Sequence, residues 1–142
     1  MFEPESAWLL HVEDDDLCLM GMQRALKVAN VRNPIACAHD GIEALEMLRG
    51  TNGRPRLPRP LIIILDLNMP RMNGIEFLQV MRNDDELKES IVFIFTTSAA
   101  GKDKAMAYTL GVSGYILKTN PAKFLDAAAL LETYLRVVEL PG

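Results

Sequence analysis

Two apolar runs, Leu61-Ile62-Ile63-Ile64-Leu65 and Ile91-Val92-Phe93-Ile94-Phe95, do most to limit what this chain can fold into. Neither alternates apolar with polar residues, and a strand without a polar face must be covered on both faces. Parallel strands packed between two layers of helices meet that requirement. Trp8-Leu9-Leu10-His11-Val12 reads as a first strand, with shorter strands near Pro34 to Ala38 and at Gly114 to Leu117.

Helical patterns separate these runs. Leu17 to Ala29 carries Leu17, Met20, Leu26 and Val28 among polar residues, with Asp15 or Asp16 placed to cap it. After an Asp40-Gly41 turn, Ile42, Leu45 and Leu48 are spaced by three and mark a second helix. A third, Gly74 to Arg82, has Ile75, Phe77, Leu78 and Met81 as its apolar positions. Lys102 to Leu110 forms a fourth that Gly111 is suited to end, and Pro121 to Val138 a fifth with proline near its first turn. Thr51 to Pro60, rich in Pro, Arg and Gly, reads as an irregular surface loop. Five strands alternating with five helices predict one doubly wound α/β domain over residues 1–142, its core about 8–138, with no output domain.

A formal net charge of −4 argues against a general nucleic-acid or membrane-surface binder. No apolar run approaches the ~20 residues of a membrane span. Met1 to Ala7 holds two glutamates and no basic, apolar leader. Cys18 and Cys37 lie far apart, without metal or redox spacing, so a reduced, cytoplasmic chain is expected.

In open parallel sheets, ligands bind beyond the carboxyl ends of the strands. Glu13 and Asp14 end the first strand and Asp66 ends the third. In the strand order 2-1-3-4-5 those strands are neighbours, and the acids converge. Several carboxylates in one crevice repel each other, and a hard divalent cation such as Mg²⁺ relieves the repulsion. The run Glu13 to Asp16 taken alone also fits a solvated, helix-capping acidic turn. Thr96 follows the fourth strand and Lys118 the fifth. A carboxylate nucleophile with a cation, a metal site and a hydroxyl around it matches the needs of phosphoryl transfer.

These residues resemble the receiver domains of two-component response regulators over roughly Trp8 to Val138. Val12-Glu13-Asp14-Asp15 is similar to the family's acidic strand end, and Asp66-Leu67-Asn68-Met69-Pro70-Arg71-Met72-Asn73-Gly74 to its phosphoacceptor loop. Thr96 lies 30 residues beyond Asp66 and Lys118 lies 22 beyond Thr96, intervals usual in the family, and Tyr115 falls at its switch aromatic. The resemblance implies a flavodoxin-like (βα)5 fold and Asp66 as acceptor of a phosphoryl group from a histidine kinase. It implies Mg²⁺ held directly by Asp14 and Asp66, by Glu13 through water, and by the backbone carbonyl of Asn68. Thr96 would swing toward the phosphoryl group, Lys118 would pair with it, and Tyr115 would turn inward. Thr96-Thr97-Ser98, the Pro/Arg loop and Lys118-Thr119-Asn120 resemble small regulators paired with bacterial phytochromes. Thr119 stands where most receivers carry proline after the lysine, which puts the usual loop geometry there in question.

Other features carry less. His11, inside an apolar strand, is expected to be buried and hydrogen-bonded, and His39 to be exposed. Arg49, Arg54, Arg56 and Arg59 read as a solvated loop before a partner contact. An Asp-nucleophile phosphohydrolase would want a second Asp where Asn68 stands, and a docking module without phosphorylation would be expected to have lost one of the four groups. On the last helix, Phe124, Ala128, Leu131, Leu135 and Val138 form one apolar stripe, and Ala127, Leu130, Tyr134 and Val137 a second. The second stripe is the expected face of a homodimer.

Overall fold

The computed structural model describes residues 7–142; the stretch Met1 to Ser6, on which the expectation of no leader rests, lies outside the described residues. The elements run β1 (Trp8–Val12), α1 (Asp16–Val28), β2 (Ile35–Ala38), α2 (Gly41–Arg49), β3 (Leu61–Leu65), α3 (Gly74–Arg82), β4 (Ile91–Thr96), α4 (Gly101–Thr109), β5 (Gly114–Leu117) and α5 (Ala122–Val137). The strands form one parallel sheet in the order β2-β1-β3-β4-β5, the flavodoxin-like order expected.

Successive side chains of a strand point to opposite faces, and the central strands divide their residues between two cores accordingly. Leu10, Val12, Ile63, Leu65, Val92 and Ile94 face one layer, against Leu45 and Leu48 of α2 and Phe77, Leu78 and Met81 of α3. Leu9, Ile62, Ile64, Phe93 and Phe95 face the other, against Met22 and Leu26 of α1 and Ala128, Leu131 and Leu135 of α5. Every residue of β3 is buried, as its unbroken apolar run requires. Each fully covered side chain of this size contributes about 1.5–3 kcal/mol relative to exposure.

Asp15, one of the two expected caps, accepts a hydrogen bond from Leu17 N at 2.9 Å at the start of α1. Other local expectations change. The buried face of α1 is Cys18, Leu19, Met22, Ala25 and Leu26, whereas Leu17, Met20 and Val28 are exposed. The small Cys18 and Ala25 belong to the packed stripe, and size alone misplaces it. Asp40-Gly41 is a helix start and not a free turn: Asp40 accepts from Glu43 N at 2.8 Å as the N-cap of α2. In the 51–60 region, Arg54 pairs with Glu43 and Glu46, and Arg56 with Glu86; Arg49 of α2 pairs with Asp84. The arginines are therefore largely matched by acids and make no uniform basic patch.

The double stripe on α5 also divides differently. Ala127 is buried, and Tyr134 packs edge-on against Phe93 with ring centroids 5.0 Å apart. Both belong to the core with Ala128, Leu131 and Leu135, because α5 is covered by the sheet and by α1 together. Leu130 and Val137 stay on the outside, joined by Val138 at the helix end.

The Asp40 carboxylate also receives Arg71, at 2.7 and 3.1 Å. Burial pushes its pKa up, but the hydrogen bonds from Arg71 and the Glu43 backbone outweigh burial and hold it below the ordinary 3.8. A depressed folded-state pKa stabilises above the unfolded value, and that contribution is lost as pH falls through the folded value. Asp40→Ala is therefore expected to cost about 1–2 kcal/mol at neutral pH, as for a lost N-cap. Urea unfolding of both proteins should show the difference shrinking as pH falls below 3.8.

Candidate functional site

The sheet ladder continues one residue past the strands and aligns two acids. Glu13 N donates to Ala38 O at 2.8 Å, and Asp66 N donates to Val12 O at 3.0 Å. Glu13 and Asp66 are buried while Asp14, next along the chain, is exposed. One ligand oxygen from each of Glu13, Asp14 and Asp66 lies within 4.8 Å of the others. The sequence-predicted acids thus converge.

Lys118 closes the crevice. Its ammonium forms a short ion pair with Glu13 and lies 4.0 Å from Asp66 Oδ2. Its backbone N–H donates to Thr96 O at 2.8 Å, and its Nζ sits 5.3 Å from the centroid of the Phe95 ring. Burial pulls the ammonium pKa down, but the hydrogen bond to Glu13 and the charges of Asp66 and Glu13 outweigh it and raise the net value. The lysine stays charged. Burial is also the main reason the Glu13 carboxyl is pushed above its ordinary range, against the pull of Lys118.

The remaining predicted residues fall around this centre. Thr96, the last residue of β4, is fully buried, and its Oγ1 accepts from Ser98 N at 3.3 Å. The Tyr115 hydroxyl donates to Ser98 O at 2.8 Å, so the threonine and the aromatic are linked through one loop residue. Asn68 is exposed on the loop after Asp66. Where Thr119 replaces the usual proline, Asn120 Oδ1 accepts from Ala122 N at 3.0 Å and leads the chain into α5.

Three contributors were not recognised from the sequence. Asp40 and Arg71 tie the loop after Asp66 to the start of α2, where Gly41 N also donates to Met72 O at 3.0 Å. Arg71 holds a left-handed φ of 60° within this loop. The Asp40-x-x-Glu43 spacing, a helix-start signature, was the available signal. The third is a steric requirement at Gly74. A Cβ there would collide with Asp66 O and sit 2.8 Å from Leu67 Cα. Gly74 N donates to Leu67 O at 3.1 Å, so α3 begins in direct contact with the backbone that carries Asp66.

His11 departs from expectation. It is fully buried, but neither ring nitrogen has a hydrogen-bond partner among the described residues. Burial, with the charge of Lys118, lowers its pKa to about 3 and keeps the ring neutral.

A parallel doubly wound sheet with acids, a lysine and a threonine at its carboxyl edge defines a small class of signalling domains. The model of the response regulator receiver domain matches residues 9–129, and the chain belongs to that family. Response regulator Rcp1 of Synechocystis sp. (strain ATCC 27184 / PCC 6803 / Kazusa) is 30% identical over 136 residues, covering 94% of this chain and 92% of Rcp1. The phosphorylated cyanobacterial phytochrome response regulator RcpA superposes with a TM-score of 0.87 at 29% identity, covering 96% of this chain and 99% of RcpA. The Mn²⁺-bound form of Rcp1 gives a TM-score of 0.86 at 30% identity, covering 96% and 99%. The protein is a two-component response regulator receiver domain, and the hydrolase and docking-only alternatives are not favoured.

Gly74→Ala is expected to destabilise the fold by about 1–3 kcal/mol, the range for an overpacked contact. Because the strain falls on the Asp66 backbone, the folded fraction should also bind an acyl-phosphate mimic such as beryllofluoride more weakly than wild type. Chemical unfolding and mimic titration measure the two effects.

Proposed function

We propose that Asp66 accepts a phosphoryl group from a histidine kinase. The observation that carries this is the buried Asp66 carboxylate, 4.0 Å from the Lys118 ammonium and clustered with Glu13 and Asp14. An Asp66 oxygen attacks the phosphorus, the new O–P bond forms, the P–N bond to the donor histidine breaks, and the imidazole keeps the electron pair and takes a proton. Lys118 stabilises charge on the transferred oxygens. Thr96, at the end of β4 next to β3, offers its hydroxyl to the product. In this reading the chain is an acceptor that helps catalyse its own modification.

The three clustered carboxylates are an all-oxygen donor set, which suits Mg²⁺. Asp14, Asp66, the Asn68 carbonyl and Glu13 would hold it, and when bound it supplies positive charge to the phosphoryl oxygens. The phosphoryl group adds negative charge beside Thr96. Through Ser98, movement of Thr96 would release Tyr115 and alter the face made by α4, β5 and α5. The relation to RcpA supports a phytochrome-type kinase as the donor, in the cytoplasm. No helix among the described residues is long and apolar enough to cross a membrane.

Asp66→Asn should abolish acceptance from a cognate kinase while leaving the far-ultraviolet spectrum unchanged. Full-stoichiometry labelling of that variant would refute the assignment.

The exposed Leu130 and Val137 on α5 support a homodimer through that helix, on a narrower face than the sequence suggests, with Ala127 and Tyr134 excluded. Leu130→Glu with Val137→Glu should give a folded monomer by light scattering. A wild type already monomeric at high concentration would contradict the dimer.

A further inference from the structure

His11 lies in β1 and Glu13 one residue past its end, where the sheet ladder continues, so the two side chains point to the same face, toward α1. Cys18, in the first turn of α1, is buried opposite them. One His11 nitrogen, one Glu13 oxygen and the Cys18 sulfur all lie within 4.8 Å of one another. The imidazole is fully buried with both nitrogens unpartnered among the described residues. Such an orphaned buried group is costly, and a bound ion would satisfy it.

We propose that His11, Glu13 and Cys18 form a buried site for a divalent cation of the zinc class, distinct from the all-oxygen crevice. The donor types decide the class: imidazole and thiolate favour Zn²⁺ and its neighbours, while Mg²⁺ prefers oxygen alone. Zinc holds nitrogen at about 2.0 Å and sulfur at about 2.3 Å, which places ligand atoms roughly 3.5 Å apart around the ion. The three donor atoms, all within 4.8 Å of one another, would draw closer on binding. The cation binds as the Cys18 thiol gives up its proton to solvent, so Zn²⁺ uptake releases one proton. His11 already offers a lone pair, because its ring is neutral. Glu13 belongs to both donor sets, so filling this site draws it from Lys118 and from the crevice. Occupation would therefore oppose Mg²⁺ binding, a consequence that rests on the proposed crevice chemistry, whereas the site itself does not.

Co²⁺ added to the metal-stripped full chain reports the site directly. One equivalent should produce a sulfur-to-cobalt charge-transfer band in the near ultraviolet, bleached by one equivalent of Zn²⁺ and weakened by Mg²⁺ only in large excess, as the shared Glu13 requires. The band should persist in Asp66→Asn and Cys37→Ser and vanish in Cys18→Ser. His11→Phe should weaken Co²⁺ binding at least about tenfold, the lower end for a lost supporting contact to a metal. X-ray absorption of the Zn²⁺-loaded wild type should show sulfur in the coordination shell, which keeps the test decisive if a core variant fails to fold. No charge-transfer band in wild type, its loss in Cys37→Ser with retention in Cys18→Ser, or an all-oxygen zinc shell would overturn the proposal. A thiolate band with no effect on Mg²⁺ binding would uphold the site and refute only the competition.

Discussion

The buried Glu13–Lys118 ion pair is the contact on which the rest of this site depends. Two carboxylates, Glu13 and Asp66, lie out of water at adjacent strand ends, where their repulsion is screened far less than at the surface. Lys118 answers both, pairing with one and lying 4.0 Å from the other. Removing one partner from such a pair typically costs about 3–5 kcal/mol, because the remaining charge is left buried and unmatched. The lysine is therefore structural before it is chemical. In the proposed reaction, a divalent cation taking over the acids would free the ammonium for the phosphoryl oxygens. In that scheme the resting pair keeps both acids compensated until a cation takes them over.

Position is supplied by backbone more than by side chains. Glu13 and Asp66 are held by sheet hydrogen bonds that extend beyond the strands, and Lys118 by its own N–H on Thr96 O. Gly74 allows α3 to start against the Asp66 backbone, and the Arg71–Asp40 pair fixes the far side of the same loop to α2. The loop after Asp66 is therefore anchored to two helices. The loop after Thr96 is tied through Ser98, whose N–H donates to Thr96 Oγ1 at 3.3 Å, whose carbonyl accepts from the Tyr115 hydroxyl and whose Oγ donates to Asp103 at 2.6 Å. In the proposed switch, chemistry at Asp66 would act on this loop through Thr96.

The fold was legible because its signals were strong and local. Unbroken runs such as Ile62 to Leu65 demanded double coverage, and the strand-end positions of Glu13, Asp66, Thr96 and Lys118 followed once the strands were placed. The helix faces were less legible. On α1 the large exposed Leu17 and Val28 outweighed the small buried Cys18 and Ala25, because apolar size says nothing about how closely two helices approach. On α5, coverage by α1 as well as the sheet absorbed Ala127 and Tyr134, and a helical wheel cannot count neighbours. Gly74 and Arg71 act through tertiary contacts between segments whose separation the sequence does not show.

That His11 and Cys18 come together was not legible for the same reason. Metal-site spacing rules describe ligands close in sequence, whereas this triad joins one strand to the turn of a helix that folds back over it. The pleat makes the contrast with the crevice physical. Glu13 has hard oxygen neighbours, Asp14 and Asp66, at the open strand ends, and nitrogen and sulfur neighbours beneath α1. A single carboxylate between two donor sets of different softness cannot serve both at full strength. In the proposed scheme, which cation holds Glu13 then decides how much negative charge remains at the crevice for the acceptor chemistry of Asp66. That dependence arises from the pleat that turns His11, in β1, and Glu13, one residue past its end, to the same face.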